Sequence, residues 1–259
     1  MRATSFGHCL FALAMLGLGF LTLIYRDFAL QWQPVPADFP AHDALAVLSG
    51  LFLLAAGIAL LVSRAAAASA AALAVYWLFW TLLRLIPALL HPAAPVAQGL
   101  GIAEDLVFAL GAGLLFLALA PREGAAPLRV LFALCCLLFG LSHFVYVQFT
   151  AGMIPAWLPG RIGLAYLTGA GHLAAGLALL LMVFPRLAAT LEAAMMTSFV
   201  LLVHAPSIGA DPAPFWGPDL RTQMVLLFVA LSLSGAGWIL AASLRKRPWG
   251  WAPKAVPAS

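Results

Sequence analysis

Apolar residues run along this chain in long stretches, separated by short breaks of charge, proline and glycine, from His8 to Leu244. A helix that crosses a bilayer needs about 20 largely apolar residues. Eight stretches meet that length, roughly 8 to 25, 44 to 62, 66 to 90, 99 to 119, 128 to 148, 162 to 184, 187 to 205 and 222 to 244. A membrane β-barrel would alternate apolar and polar residues in segments of about ten, and runs such as Leu51-Phe52-Leu53-Leu54-Ala55-Ala56 do not alternate. The pattern therefore predicts an all-α polytopic membrane protein with eight transmembrane helices. The first stretch follows Arg2 and has a glycine-rich end, but no A-x-A cleavage pattern comes before Arg26-Asp27, so it is read as a retained helix.

Sliding the chain against itself by 119 positions reveals an internal repeat. Val35-Pro36-Ala37-Asp38-Phe39-Pro40 falls on Ile154-Pro155-Ala156-Trp157-Leu158-Pro159, and Ala55-Ala56-Gly57 falls on Ala174-Ala175-Gly176. Between 35 and 61, 14 of 27 positions are identical without a gap, and Pro87 falls on Pro206 at the same offset. Apolar bias alone does not align prolines. The expected organisation is a first four-helix unit over 1–121, a second over 122–244 and a basic tail over 245–259. Four crossings is an even number, so the two units are expected to start on the same side, in parallel orientation.

Composition narrows the picture further. Hydrophobic residues make up 64% of the chain and charged residues 8%, against about a quarter charged in soluble domains, which excludes a water-soluble globule. The net charge of +4 comes from basic residues scattered singly, apart from Arg245-Lys246-Arg247, so the partner expected is the lipid bilayer and not a nucleic acid. With a cytoplasmic N-terminus, nine of the thirteen basic residues sort to the inner side: Arg2, Arg64, Arg122, Arg129, Arg186, Arg245, Lys246, Arg247 and Lys254. Seven of the nine acids sort to the outer side. Both termini are therefore expected inside. Cys9, Cys135 and Cys136 lie in apolar stretches without a CxxC spacing, which predicts packing residues and neither a disulfide framework nor a zinc site.

Several segments of the second half resemble a known family. They are Met153-Ile154-Pro155-Ala156-Trp157-Leu158-Pro159, Tyr166-Leu167-Thr168-Gly169-Ala170-Gly171-His172-Leu173-Ala174-Ala175-Gly176-Leu177 and Ser198-Phe199-Val200-Leu201-Leu202-Val203-His204-Ala205-Pro206. With Leu227 to Trp238, they look like the DoxX family of bacterial inner-membrane proteins. The likeness covers about 128 to 244, and the first half only through the repeat. It implies a four-helix module, here duplicated, in the bacterial inner (cytoplasmic) membrane. It also implies a link to quinone-dependent sulfur oxidation or to membrane redox complexes. Many relatives carry a glutamate where His172 sits and an aromatic where this chain has Arg221-Thr222-Gln223, so the likeness does not extend to an activity that needs a carboxylate at that depth.

Polar residues inside the spans are the candidate site. His172 falls about eleven residues into its span, near the bilayer midplane. An ionisable residue there either packs against a neighbouring helix through a hydrogen bond or contacts a quinone, a metal or a proton path. Its repeat counterpart is Leu53, so packing symmetry alone does not call for an imidazole. His143 and His204 complete a set of three candidate ligand-binding histidines in the second unit. A three-histidine metal site is not expected, because His172 and His204 should differ in depth by roughly 10 Å, and one tight site would need a broken or tilted helix. In the first unit Arg84, Glu104 and Asp105 lie at similar levels, which predicts a structural ion pair. The second unit has Val203, Gln223 and Met224 in their places. His8 and His91 read as interfacial, and His42 joins Asp38 and Asp43 in an outer loop.

No nucleophile elbow, phosphate-binding glycine loop or HExxH helix is present. Two function classes stand at this point. One is a redox-linked membrane subunit, with a partner subunit, that contacts a quinone through the histidines of the second unit. The other is a non-enzymatic carrier or binding scaffold that holds a small apolar ligand between the units. No catalytic residue is assigned, and quinone is the cofactor that the first class brings.

Overall fold

The computed structural model describes residues 5–120 and 123–250. Arg2, Arg122, Lys254 and the end of the basic tail lie outside the described residues. The elements are α1 Phe6–Tyr25, α2 His42–Leu61, α3 Ala66–Leu90, α4 Pro95–Leu119, α5 Ala125–Val145, α6 Val147–Met153, α7 Arg161–Leu181, α8 Pro185–Phe199, α9 Ala205–Ser207 and α10 Leu220–Ser243. A 3₁₀ turn spans Leu30–Trp32, and a π-helical turn over Val200–His204 joins α8 to α9. No strand occurs among the described residues. Eight helices are long and apolar enough to cross a membrane, α8 to α9 counting as one of them over Pro185–Ser207. The chain is an all-helical polytopic membrane protein.

Local chemistry fixes the helix ends. The side chain of Ser5 accepts from the backbone N–H of His8 to start α1, and Asp219 accepts from Thr222 N–H to start α10. Pro95 and Pro185 occupy first-turn positions of α4 and α8, where a missing N–H is harmless. Gly124 and Gly160, with φ of 115° and 67°, precede α5 and α7.

α1, α2 and α3 begin 119 residues before α5, α7 and α8 respectively. α1 packs on α2, α2 on α3 and α3 on α4; in the other half α5 packs on α7, α7 on α8 and α8 on α10. The halves join along two seams, α4 with α5 and α10 with α1, and α4 meets α10 across the middle. The eight spans thus close a ring with one bridging contact.

Helices in lipid gain no hydrophobic drive to associate, so small residues that let backbones approach do much of the work. A Cβ added at Gly19 of α1 would stand 2.7 Å from Leu54 N of α2. At Gly169 of α7 it would stand 2.8 Å from the His143 Cβ of α5. The second glycine brings the two helices of the candidate site together. Between the helices, Phe11, Met15, Trp77 and Phe108 are fully buried, and Trp77 Nε1 donates to Met15 Sδ at 3.3 Å. Large apolar side chains such as Val75 and Leu89 face outward, where lipid is their solvent.

His8, in the first turn of α1, is buried among helix ends. It is 3% exposed, and its Nε2 lies 2.8 Å from the carbonyl oxygen of Leu60 near the end of α2, a position at which helix carbonyls lack partners within the helix.

Candidate functional site

A cavity of about 710 Å³ opens among the helices of the second half. α5, α6, α7, α8 and the π turn form most of its wall, and α10 contributes Ala230 and Leu233. The first half of the chain supplies Gln31, Ala97, Leu100 and Glu104 to the same wall. All three candidate histidines, His143, His172 and His204, are on its wall.

His143 and His172 come together. Their ring centroids are 5.0 Å apart, and Phe199 lies 6.3 Å from the first and 6.0 Å from the second. Phe139 meets His172 edge-on at 5.8 Å. His143 Nδ1–H donates to the Phe139 carbonyl, one turn back on its own helix, at 2.8 Å. His172 Nδ1 lies 2.8 Å from Glu192 Oε1 of α8, and both side chains are 1% exposed. His172 Nε2 and Glu192 Oε2 are buried with no hydrogen-bond partner.

A carboxylate therefore stands beside His172, although the position of His172 itself carries none. Glu192 supplies one from the next span, where the apolar-run reading passed over it. The signal was available, because a single acid inside an apolar span is itself a pointer to function.

His204 stands apart from that pair. Its ring packs on Trp216 at 5.5 Å, and its buried Nδ1 has no hydrogen-bond partner. It reaches the cavity because the helix is wound as a π turn over Val200–His204. Pro206 cannot donate to the carbonyl four residues back, and its ring crowds that carbonyl. The chain rewinds there, with Ala205 N–H donating to Val200 O. The broken helix that a shared site demands is thus present, yet no group of three or more metal-ligating side chains gathers among the described residues.

Arg84, Glu104 and Asp105 divide their roles. Arg84 Nη1 lies 3.3 Å from Asp105 Oδ2, and the Asp105 side chain is fully buried. Glu104 points about 100° away around α4, where Oε2 accepts the indole N–H of Trp32 at 2.8 Å and the residue borders the cavity. Its repeat counterpart Gln223 holds the loop before α10, accepting from Gly209 N–H and donating to Gly217 O.

Two further polar networks tie loops to helices. Asp27 takes Arg221 at 2.7 Å and His42 at 3.2 Å, and His42 also reaches Asp43 at 3.3 Å. This cluster joins α2 and α10 to the loop after α1; the anticipated partner Asp38 is not among its contacts. Gln33, Ser49 and Tyr76 form a second buried network, in which Gln33 donates to both hydroxyls and the Ser49 and Tyr76 oxygens are 2.6 Å apart. No family model, curated protein or solved structure matches this chain.

Proposed function

We propose that this chain is a DoxX-like, redox-linked membrane subunit that binds a quinone-class molecule in the cavity of its second four-helix unit. On this reading it sits in the bacterial inner membrane with both termini cytoplasmic. The observation that carries the proposal is an apolar cavity of about 710 Å³ with the His143–His172 pair in its wall, His172 being backed by Glu192. Small-molecule sites are of that size, about 300–1,000 Å³, and mainly apolar with a few convergent polar groups. An aromatic ring with polar substituents suits a chamber bordered by Phe139 and Phe199 and the two imidazoles. The shared 119-residue offset of three helix starts supports a duplicated module, and the sorting of Arg64, Arg129, Arg186 and Arg245 to one side supports the orientation.

The test is an organic extract of the purified full chain together with its visible spectrum, followed by titration with decyl-ubiquinone. Co-purified quinone, or binding that weakens in His172→Gln, is the expected result. No quinone in the extract and no decyl-ubiquinone binding would overturn the proposal, and unchanged binding in His172→Gln would remove His172 from it.

A carrier or binding scaffold is the second reading, favoured by the cavity wall that both units share. A non-quinone lipid or other small apolar molecule in the same extract would support it instead.

A further inference from the structure

His172 and Glu192 have counterparts in the first unit. At the 119-residue offset they fall on Leu53 of α2 and Leu73 of α3, and both leucines are completely buried. Two apolar side chains therefore fill these positions where α2 packs on α3, as α7 packs on α8. Helix packing at these positions requires neither an imidazole nor a carboxylate. Burying the pair, each side chain 1% exposed, carries a desolvation cost that the leucines avoid. Ionisable groups held inside a membrane at such a cost mark a functional site.

The pair also has a direction. His172 lines the cavity and Glu192 does not, so the carboxylate stands behind the ring. It engages Nδ1 at 2.8 Å, while Nε2 is buried with no hydrogen-bond partner. A carboxylate that accepts Nδ1–H fixes the tautomer in which Nε2 keeps a lone pair. An imidazole held in this way takes a proton at one nitrogen and passes on the proton of the other. The neighbouring elements bring few rivals for that role. From α5, His143 meets the His172 ring with Nδ1 already bonded to Phe139 O, and Cys136 faces Glu192. α6 carries no ionisable side chain, and α10 only Arg221, which Asp27 holds. Glu104, Tyr146 and His204 border the same cavity.

We infer that the His172–Glu192 pair is the proton acceptor for a ring hydroxyl, of the phenol or quinol class, on the ligand that the cavity holds. The ligand O–H proton goes to His172 Nε2 as the Nδ1 proton goes to Glu192 Oε1. One negative charge leaves the carboxylate and one appears on the ligand oxygen. The net charge of the dry site is unchanged, so the transfer adds no buried charge. No electron moves, and no bond to carbon forms or breaks. A sufficiently acidic phenol is then held as its oxyanion. The inference rests on the quinone-class reading for the presence of a ring in this cavity, and assigns to it the groups that handle its proton.

The probe is 4-nitrophenol, which is yellow only when ionised, added to the purified full chain in a nonionic detergent. Equilibrium dialysis gives the amount bound, and the visible spectrum gives the ionised share. At one pH unit below the midpoint in water, about a tenth of the free phenol is ionised, and at least about half of the bound phenol should be. His172→Gln and Glu192→Gln each keep a hydrogen-bonding side chain that cannot take the proton, and each should bind the phenol in its colourless form. A size-exclusion profile matching the wild type shows that a variant is folded. Where a glutamine variant is misfolded or binds no phenol, His172→Leu/Glu192→Leu, carrying the side chains of the first unit, takes its place and should bind the colourless form. No binding to the wild type, a colourless bound phenol there, or a yellow one in a folded variant overturns the inference. So does a double variant that is misfolded or binds no phenol. Decyl-ubiquinone binding, measured separately, decides the quinone-class reading, so either can fail alone.

Discussion

His172 and Glu192 face each other across α7 and α8 with 2.8 Å between Nδ1 and Oε1. Each also has a second polar atom buried and unpartnered. A pair of this kind is costly to break and cheap to replace whole, because removing one partner strands the other in a dry setting. Glu192→Ala should lower stability by about 3–5 kcal/mol, read from denaturant unfolding of the detergent-solubilised chain. The double variant His172→Leu/Glu192→Leu should cost less than the sum of the two single leucine variants. Additive costs would show that the pair contributes no coupling.

The same logic applies to Arg84 and Asp105 with a different expected partner. Arg84→Leu leaves the fully buried Asp105 without its guanidinium and should destabilise by about 3–5 kcal/mol. Adding Asp105→Leu should recover much of that loss. Adding Glu104→Leu should not, since Glu104 is held by Trp32 instead. Recovery by the Glu104 change would mean that Arg84 serves both acids.

Asp219 offers a pH handle outside the membrane-spanning segments. Its carboxylate accepts from Thr222 N–H at 2.9 Å and from the Thr222 hydroxyl at 2.7 Å, and these bonds hold its pKa below the ordinary aspartate value. A depressed folded-state pKa stabilises above the unfolded value of about 4 and loses that contribution as pH falls through the folded value. Asp219→Ala should therefore cost about 1 kcal/mol near neutral pH, the usual worth of an N-cap, and progressively less in acid. Asp219→Asn should keep most of the cap without the pH dependence. A wild-type-minus-Ala difference that grows as pH falls would contradict the assignment.

Orientation can be read by labelling. After Cys9, Cys135 and Cys136 are replaced by alanine, a cysteine at the exposed Trp157 should react with a membrane-impermeant maleimide from outside intact cells. One at Ala126, at the start of α5, should react only after the cells are opened. The opposite pattern would invert the proposed topology.

The helix positions were legible because bilayer thickness sets the length of an apolar run, and prolines and caps mark where it begins. Three features were not legible, each for a physical reason. Apolar-run reading treats one acid as noise, which hid Glu192. Adjacent residues on a helix point about 100° apart, so the neighbours Glu104 and Asp105 face the cavity and Arg84 respectively, and sequence does not fix the rotation that decides which does which. The repeat also places Pro87 and Pro206 in equivalent positions, yet α3 runs through its proline as an α-helix while the second unit rewinds before its own. The histidines were legible as candidates, because an imidazole inside an apolar run stands out by residue type.

The rewound segment at Val200–His204 sets an angular phase. A π turn takes up about one residue more than an α turn, so everything beyond it is rotated by about 100° relative to an uninterrupted helix. That rotation changes which face of the span His204 occupies without adding length across the membrane. Deleting one residue between Val200 and Val203 would restore the ordinary winding and return the following side chains to the faces that their counterparts hold in α3. The span would still fit the bilayer, but a different set of atoms would border the chamber.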